Sequence, residues 1–269
     1  MRIAIFSNPT GGSVKVTKEL TTKLNQAHLT IDNEHPDVVL TVGGDGTLLS
    51  AFHHYWQQLD RIRFVGIHTG HLGFYTDWRD FEVDQLVESL KKDTGQQVTY
   101  PLVDVDITYS DGTVKHFIAL NESTVKKAVN TLVCDIYIKG KLFERFRGDG
   151  LCISTPTGST GYNKSIGGAV MDPSLIGIQL GEIASINNRV FRTLGSPIIV
   201  GQDQYVDLVL KTDDRLIVSC DQLQAHDLDN PHRIQKLHYQ ISKSKIAFAR
   251  YRHTSFWQRV DEAFIGGVK

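Results

Sequence analysis

The chain has 269 residues, of which 41% are apolar, so it can form a sizeable core and more than one domain. Lys plus Arg (29) nearly balances Asp plus Glu (30), which argues against a general attraction to nucleic acid or to anionic membranes. Cys134, Cys152 and Cys220 are far apart and form no Cys-x-x-Cys pair, which argues against disulfide scaffolds and cysteine zinc sites. No apolar run has the length of a signal peptide core or a membrane span. We therefore expect a soluble, cytoplasmic protein.

Short β-branched runs alternate with helical patterns in the first hundred residues. Strands that are buried on both faces and joined by helices predict a parallel, doubly wound α/β sheet. Ligands of such sheets bind at the carboxyl ends of the strands. Strands are predicted at 2–7, 37–42 and 63–67, and helices at 13–27, 47–57 and 80–90, with Ser13 and Asp80 as N-caps.

After residue 97 the apolar period changes from 3.6 to 2. Apolar and polar residues alternate over 103–108, and Asp111-Gly112 predicts a hairpin turn. Short strands continue to about residue 242, which favours a largely antiparallel, sandwich-like β domain. We predict an α/β domain at 1–97 and a β-rich domain at 98–253. The tail, 254–269, returns to helical spacing and is expected to pack back on the first domain.

The strongest local signal is the loop Gly43-Gly44-Asp45-Gly46-Thr47, between a predicted strand and a predicted helix. Glycines allow close approach of a ligand, and amides at a helix N-terminus attract phosphate, so Gly43, Gly44, Gly46 and Thr47 are candidates to bind donor phosphates. Asp45 would repel phosphate, and this cost suggests that its carboxylate accepts a proton from an attacking hydroxyl or positions a metal ion. The alternative is a tight turn in which Asp45 caps the helix.

A second cluster lies at 155–165, with the sequence Thr-Pro-Thr-Gly-Ser-Thr-Gly-Tyr-Asn-Lys-Ser. Its hydroxyls, amide, cation and aromatic ring suit a nucleoside ligand. Hydroxyl-rich loops are common, however, and the alternative interpretation is a solvated loop.

Weaker signals come from four other segments. Arg147-Gly148-Asp149-Gly150 aims a charge pair into a cleft or forms a hairpin turn. Phe74 and Tyr75 line an adenine pocket or belong to the core. Asn121-Glu122 ends a predicted strand, and Lys126-Lys127 is interpreted as a solvated face.

Taken in order, these segments resemble the NAD kinase family across essentially the whole chain. Gly-Gly-Asp-Gly-Thr is shared with diacylglycerol kinases, sphingosine kinases and phosphofructokinases, and by itself indicates only phosphoryl transfer. The ordered set is far more specific. The matching segments are Gly-Gly-Asp-Gly-Thr at 43–47, Gly-His-Leu-Gly-Phe at 70–74, Asn-Glu at 121–122, Gly-Asp-Gly at 148–150 and Thr-Pro-Thr-Gly-Ser-Thr at 155–160.

The resemblance implies a role for each matching residue. Asp45 acts on the 2'-hydroxyl of the adenosine ribose of NAD, and Gly46 borders the same site. Asn121 and Glu122 bind the NAD riboses. The other implied NAD contacts are Arg147 and Asp149 near the nicotinamide amide, Phe74 near the adenine, Thr160, Gly161, Tyr162 and Ser165 in the adenine and ribose loop, and the less distinctive Ala184 and Gln222. Gly161 departs from the family, which usually has alanine there, so the loop should be more flexible.

The implied reaction transfers a phosphoryl group from ATP, another triphosphate or polyphosphate to NAD. A divalent cation, expected to be Mg²⁺, would neutralise phosphate charge, and its protein ligands are unknown. The family is usually a homodimer or homotetramer. Two alternatives stay open: a lipid or sugar kinase of the same wider group, and a non-catalytic dinucleotide sensor, which would not need Asp45.

Overall fold

The computed structural model describes residues 1–70, 73–211, 216–226, 230–252 and 255–266. It divides into two compact units: unit 1 is Met1–Tyr100 with Lys245–Lys269, and unit 2 is Pro101–Ser244. The domain limits predicted from sequence were 97 and 253. Among the described residues, no helix has the length and apolar character needed to cross a membrane.

The helices and strands are numbered in chain order. The helices are α1 (Gly11–Gln26), α2 (Asp45–His54), α3 (Val83–Lys91), α4 (Tyr162–Ser165) and α5 (Phe256–Val260), the last followed by a π-helical turn, Asp261–Ile265. The strands are β1 (Arg2–Ser7), β2 (Thr30–Ile31), β3 (Val38–Val42), β4 (Arg63–His68), β5 (Trp78–Arg79), β6 (Gln97–Tyr109), β7 (Val114–Ala119), β8 (Glu122–Lys127), β9 (Leu132–Ile138), β10 (Lys141–Gly148), β11 (Gly150–Ser154), β12 (Gly177–Ile183), β13 (Ile198–Gly201), β14 (Tyr205–Leu210), β15 (Leu216–Cys220), β16 (Leu223–Gln224) and β17 (Ile234–Ala249).

Unit 1 is built on a parallel sheet with the strand order β2-β1-β3-β4. β5 and the end of β17 also pair with β4 in parallel. Every residue of β3 is buried, as expected for a central parallel strand covered on both faces. The apolar stripes of α1 and α3 pack into one core with β1, β3 and β4.

Two predicted helix N-caps are wrong. α1 begins at Gly11 with Thr10 as N-cap, and Ser13 is fully buried, where its hydroxyl bonds those of Thr10 and Thr69. Ser13 therefore tethers α1 to the loop after β4 and does not cap the helix. A short 3₁₀ turn, Asp80–Glu82, precedes α3 and has Arg79, not Asp80, at its N-cap.

Unit 2 contains two sheets. One has the order β10-β9-β14-β17, with β6 beside β17 and β7 beside β6; the other has the order β13-β12-β11-β8-β15-β16. Every neighbouring pair in the second sheet is antiparallel. Buried apolar residues of both sheets form one core, as in a sandwich. The predicted hairpin at Asp111-Gly112 is confirmed, since it joins the antiparallel strands β6 and β7.

Candidate active site

A cleft opens at the carboxyl ends of two neighbouring strands of unit 1. β1 and β3 are parallel, with Ser7 opposite Val42. The loops that follow these strands line a cleft of about 590 Å³, a volume within the range of roughly 300 to 1,000 Å³ that is typical of small-molecule sites. The edge is also the one at which parallel α/β sheets bind ligands. The lining residues are Phe6 and Ser7 at the end of β1, Asn8 and Pro9 in the loop after it, and Gly44, Gly46, Thr47 and Ser50 after β3.

The glycine loop contributes unequally to this cleft. The Gly43 N–H donates to the Ile67 carbonyl at 2.9 Å, so in this conformation the amide is not available to a donor phosphate. A Cβ at Gly43 would overlap the Thr47 side chain, so packing requires glycine there. Gly44 is exposed with open space around its Cα, and Gly46 is exposed beside it. Thr47 is 8% exposed, and its N–H is also used, donating to the Gly44 carbonyl at 2.9 Å.

Asp45 is the first residue of α2, yet its carboxylate is held by another segment. Oδ2 accepts the Phe74 N–H at 2.8 Å, and Oδ1 accepts the Tyr75 N–H at 3.0 Å. The N-cap of α2 is Gly44 and no side chain caps the helix, so the interpretation of Asp45 as a helix cap does not fit. Each carboxylate oxygen has two lone pairs, so one on each stays available for a further hydrogen bond. Asp45 is half-buried.

The segment that holds Asp45 follows β4. A Cβ at Gly73 would occupy the position of the Asp45 carboxylate, so glycine is required there by close approach. Tyr75 is 6% exposed and stacks on Phe248 at 5.8 Å between ring centroids, which places it in the core. Phe74 is half-buried. His71 and Leu72, in the middle of the matching segment 70–74, lie outside the described residues.

In unit 2, one carboxylate fixes the strand start that carries Asn121 and Glu122. Asp221 accepts the N–H groups of Leu120, Asn121 and Glu122 at 3.0, 2.7 and 3.2 Å. Asp221 itself has φ of 52°, a conformation uncommon for residues other than glycine. The three bonds hold the backbone of both candidate NAD-binding residues in a single orientation.

The hydroxyl-rich loop is not the solvated loop of the alternative interpretation. Thr155, Thr157 and Ser159 are at most 5% exposed, and the Thr155 and Thr157 hydroxyls donate to the Leu120 carbonyl. A Cβ at Gly158 would overlap the backbone of Asn121. These residues therefore pack the loop against the strand start and do not face solvent.

The next residues of this loop are only partly buried, and two of them, Gly161 and Tyr162, lie beside Glu122. Burial raises the pKa of Glu122 to about 7; the Asp221 charge acts in the same direction, while the Tyr162 N–H and Lys126 oppose it. The Lys126 ammonium lies 4.8 Å from the centre of the Tyr162 ring, so the interpretation of Lys126 as part of a solvated face is wrong. Gly161 is so close that an added Cβ would lie 3.1 Å from Glu122 Oε2. Thr160, Gly161 and Tyr162 are each half-buried.

Arg147 and Asp149 lie where the chain leaves one sheet of unit 2 for the other. β10 pairs with β9 in the first sheet, whereas β11 pairs with β8 and β12 in the second. Asp149 therefore lies at a crossover between sheets and not in a hairpin turn. The Arg147 guanidinium lies 4.0 Å from the centre of the Phe191 ring, and the Asp149 side chain is exposed. Ala184 is close to this crossover, since its carbonyl would lie 2.9 Å from a Cβ at Gly148, and its own φ is 47°.

The residues around Glu122 and those around the Arg147–Asp149 crossover lie at opposite ends of the strand pair β8–β11. In the β8–β11 register Glu122 is opposite Ser154 and Lys126 is opposite Gly150. Four residues of strand separate the ends, or roughly 13 Å at about 3.3 Å per residue. Ser165 at the end of α4 and Gln222 beside Asp221 are both exposed. The candidate NAD residues of unit 2 thus lie near the two ends of the β8–β11 strand pair.

Two family models together match well over half of the chain: the ATP-NAD kinase N-terminal domain at residues 8–94 and the ATP-NAD kinase C-terminal domain at residues 120–250. The chain belongs to the NAD kinase family. The resemblance drawn from the ordered segments is therefore confirmed, and with it the assignment as a phosphotransferase with an alcohol group as acceptor.

Similar proteins extend over the whole chain. An NAD kinase of Limosilactobacillus reuteri subsp. reuteri (strain JCM 1112) is 58% identical over 269 residues, covering 100% of both chains. An NAD kinase of Enterococcus faecalis (strain ATCC 700802 / V583) is 54% identical over 267 residues, covering 99% of each. A yeast NADH kinase complexed with NADH has a TM-score of 0.85 at 18% identity, covering 100% of this chain and 88% of that one. An NAD kinase from Archaeoglobus fulgidus in complex with ATP has a TM-score of 0.76 at 23% identity, covering 99% and 100%. These two structures support the fold, and the predicted fold class is confirmed.

Sequence reasoning missed three residues of these NAD kinase candidate sites. Asn8 lines the cleft after β1, Asp221 fixes the Asn121-Glu122 backbone, and Lys126 lies over Tyr162. Asn8 followed by Pro9 directly after a strand was a usable signal. Asp221 and Lys126 gave none, because their partners lie far away in sequence.

Proposed function

We propose that this NAD kinase transfers the terminal phosphoryl group of ATP, another triphosphate or polyphosphate to the 2'-hydroxyl of the adenosine ribose of NAD, giving NADP. The observation that carries this proposal is the Asp45 carboxylate, fixed by two N–H groups beside a cleft at a sheet edge. A carboxylate beside a phosphate cradle is of use when a hydroxyl must lose a proton.

Donor phosphates would occupy the cleft of unit 1, with the amides of Gly44 and Gly46 as candidate contacts. Asp45 orients the 2'-hydroxyl and accepts its proton through the lone pairs that the Phe74 and Tyr75 N–H groups leave available. The ribose oxygen then forms a bond to the terminal phosphorus as the bond to the donor's bridging oxygen breaks. Fixed direction matters here, since proton transfer requires hydrogen-bond distance.

The residues of the cleft are compatible with a divalent cation that is bound mainly by substrate. Among the described residues, no group of three or more His, Cys, Asp or Glu side chains could hold a metal ion. Mg²⁺ is commonly held by one or two carboxylates together with waters and substrate phosphates, so Asp45 is the candidate protein ligand. When bound, the cation neutralises charge on the donor phosphates.

NAD would be recognised chiefly by residues near the two ends of the β8–β11 strand pair. Asn121 and Glu122 are proposed to bind ribose hydroxyls, Tyr162 and Phe74 to contact the adenine, and Asp149 with Arg147 to contact the nicotinamide amide. Thr160, Gly161, Ser165, Ala184 and Gln222 are proposed to complete the contacts. The separation of roughly 13 Å between these two ends supports an extended ligand over a small sugar.

One coupled assay tests the proposal. The purified protein is incubated with NAD, a divalent cation and a single donor, and NADP is measured with an NADP-specific dehydrogenase. Separate reactions with ATP, other triphosphates, polyphosphate and, as acceptor, NADH define the substrates. NADP formation is expected. Phosphorylation of a lipid or sugar without NADP would support the first alternative, and NAD binding without turnover with any donor would support the sensor.

We further propose a cytoplasmic homodimer or homotetramer, as the resemblance implies. Analytical ultracentrifugation of the purified protein measures the assembly. A monomer at micromolar concentration that retains full activity would contradict the proposed assembly and leave the proposed activity unaffected.

A further inference from the structure

Arg259 lies in α5, near the end of the chain, yet it is only 5% exposed. Buried charges occur in proteins where they are paired and hydrogen-bonded. One terminal guanidinium nitrogen, Nη1, donates to the Gly73 carbonyl at 2.8 Å, and the other, Nη2, donates to the Asp77 carboxylate. The Arg259 side chain is thus fixed to both ends of residues 73–77.

This same segment carries the two N–H groups that hold Asp45. Phe74 and Tyr75, which donate them, lie between the two residues that Arg259 bonds. The Gly73 N–H also donates to the Thr76 hydroxyl at 3.2 Å, which closes the segment into a tight turn. A shift of the turn would therefore carry the Asp45 carboxylate with it.

Aromatic contacts support the same arrangement. The Phe74 ring lies 6.0 Å from Phe256 and 5.9 Å from Phe264, between ring centroids. These two residues flank Arg259 along the tail. The tail therefore contacts the 73–77 turn both through the Arg259 guanidinium and through two aromatic rings.

We propose that Arg259 is a positioning residue for phosphoryl transfer: by bonding Gly73 and Asp77 it holds the turn that fixes the direction of the Asp45 carboxylate. The inference rests on the proposed function, because it takes Asp45 as the group that accepts the hydroxyl proton. It assigns to the tail a part in catalysis without contact with substrate.

The geometry requires arginine. Its planar fork presents donors to a carbonyl and a carboxylate at once, whereas the lysine ammonium is a single point charge and satisfies one of them well. A displacement of a reacting group by about 1 Å can cost about 100-fold in rate. We therefore expect Arg259→Lys to lower kcat by about 10- to 100-fold and to raise KM for NAD by a smaller factor, since Phe74, a proposed adenine contact, lies in the same turn.

Arg252→Lys is the matched control. Arg252 also lies in the last part of unit 1 and pairs with a carboxylate, Glu82, at 2.6 Å, but it stacks on Trp78 and not on the 73–77 turn. Its kcat should stay within about 2-fold of wild type. Circular dichroism and thermal melting establish that both variants are folded.

The decisive measurement repeats Arg259→Lys in an Asp45→Asn background. If Arg259 acts through Asp45, the second substitution should add less than about 2-fold to the loss in kcat, because residues that act as a unit are not additive. A general structural role would give the same factor in both backgrounds, and that result overturns the inference. If Arg259→Lys does not fold, Asp77→Asn keeps the side-chain shape while weakening the same contact, and its loss of about 3- to 10-fold should likewise vanish in the Asp45→Asn background.

The two proposals fail in different ways. An Asp45→Asn enzyme with near-normal kcat removes the catalytic role of Asp45, and the inference falls with it. A large loss for Asp45→Asn together with a normal kcat for Arg259→Lys overturns the inference alone.

Discussion

Glu122→Gln should stabilise the protein relative to wild type, and this gain in free energy of unfolding should be larger at pH 8 than at pH 5. Burial and, secondarily, the Asp221 charge raise the pKa of Glu122 to about 7, above its ordinary value of 4.5. The folded state therefore keeps a proton on Glu122 that the unfolded chain releases near pH 4.5. Ionising this carboxyl in the folded state costs free energy that a neutral glutamine of the same shape does not.

The difference between the pKa of Glu122 in the folded and in the unfolded state determines how the free energy of unfolding changes with pH. Below about pH 4.5 Glu122 is protonated in both states and contributes no penalty. As pH rises from 4.5 to 7 the penalty grows, and above 7 it is complete at about 3 kcal/mol, since each pKa unit is worth about 1.4 kcal/mol. Between pH 5 and pH 8 the advantage of the Gln variant should grow by about 2 to 3 kcal/mol.

Urea unfolding of the full chain at pH 5, 6, 7 and 8 measures this difference, with far-ultraviolet circular dichroism as the probe. Glu82→Gln is the control. Burial opposes ionisation of Glu82, but the Arg252 guanidinium and the Arg79 N–H outweigh it and hold its pKa below 4.5. Glu82 is thus ionised in both states above pH 5, so its variant should show a pH-independent loss. A Glu122→Gln advantage that changes by less than about 0.5 kcal/mol between pH 5 and pH 8 would refute the reasoning.

Three further substitutions probe the site. Asp45→Asn should lower kcat by about 10²- to 10⁴-fold in the coupled assay with little rise in KM for NAD, and a kcat above about half of wild type contradicts the role of general base. Tyr162→Ala should weaken NAD binding in calorimetric titration by about 5- to 10-fold through loss of ring contacts, whereas Tyr162→Phe should not; equal affinities would exclude the ring from the site. Gly73→Ala should lower kcat because its Cβ overlaps the Asp45 carboxylate, while Gly70→Ala, whose added Cβ would meet no atom of the described residues within 4 Å, should stay near wild type; similar kinetics for the two would contradict the close approach.

The parallel sheet of unit 1 could be predicted because its strands are buried on both faces and therefore appear as continuous apolar runs. The β region of unit 2 could be predicted from the change of period, since alternation follows from one buried face. The N-caps of the helices were harder to predict. Ser13 resembles an N-cap in the sequence, but its hydroxyl bonds Thr69, fifty-six residues away, and this tertiary contact outweighs the local preference.

Individual site residues could be proposed from sequence, but their physical setting could not. From the sequence, the hydroxyls at 155–159 are expected to contact a ligand or solvent. In the structure the Thr155 and Thr157 hydroxyls instead donate to the Leu120 carbonyl, a long-range contact that the sequence does not indicate. The same holds for Lys126, whose partner Tyr162 is thirty-six residues further along the chain. Long-range contacts of this kind decide whether a polar side chain is structural, functional or solvated.

Asp45 illustrates how such contacts offset a local cost. A carboxylate among amides that should hold phosphate repels the donor, and nothing within residues 43–47 compensates for it. The compensation comes from the Phe74 and Tyr75 N–H groups, about thirty residues away, in a turn that Arg259 bonds from the end of the chain. Backbone N–H donors orient a carboxylate without adding a mobile positive charge, so its remaining lone pairs keep a fixed direction. The glycine loop therefore supplies the carboxylate, but two distant segments determine where it points.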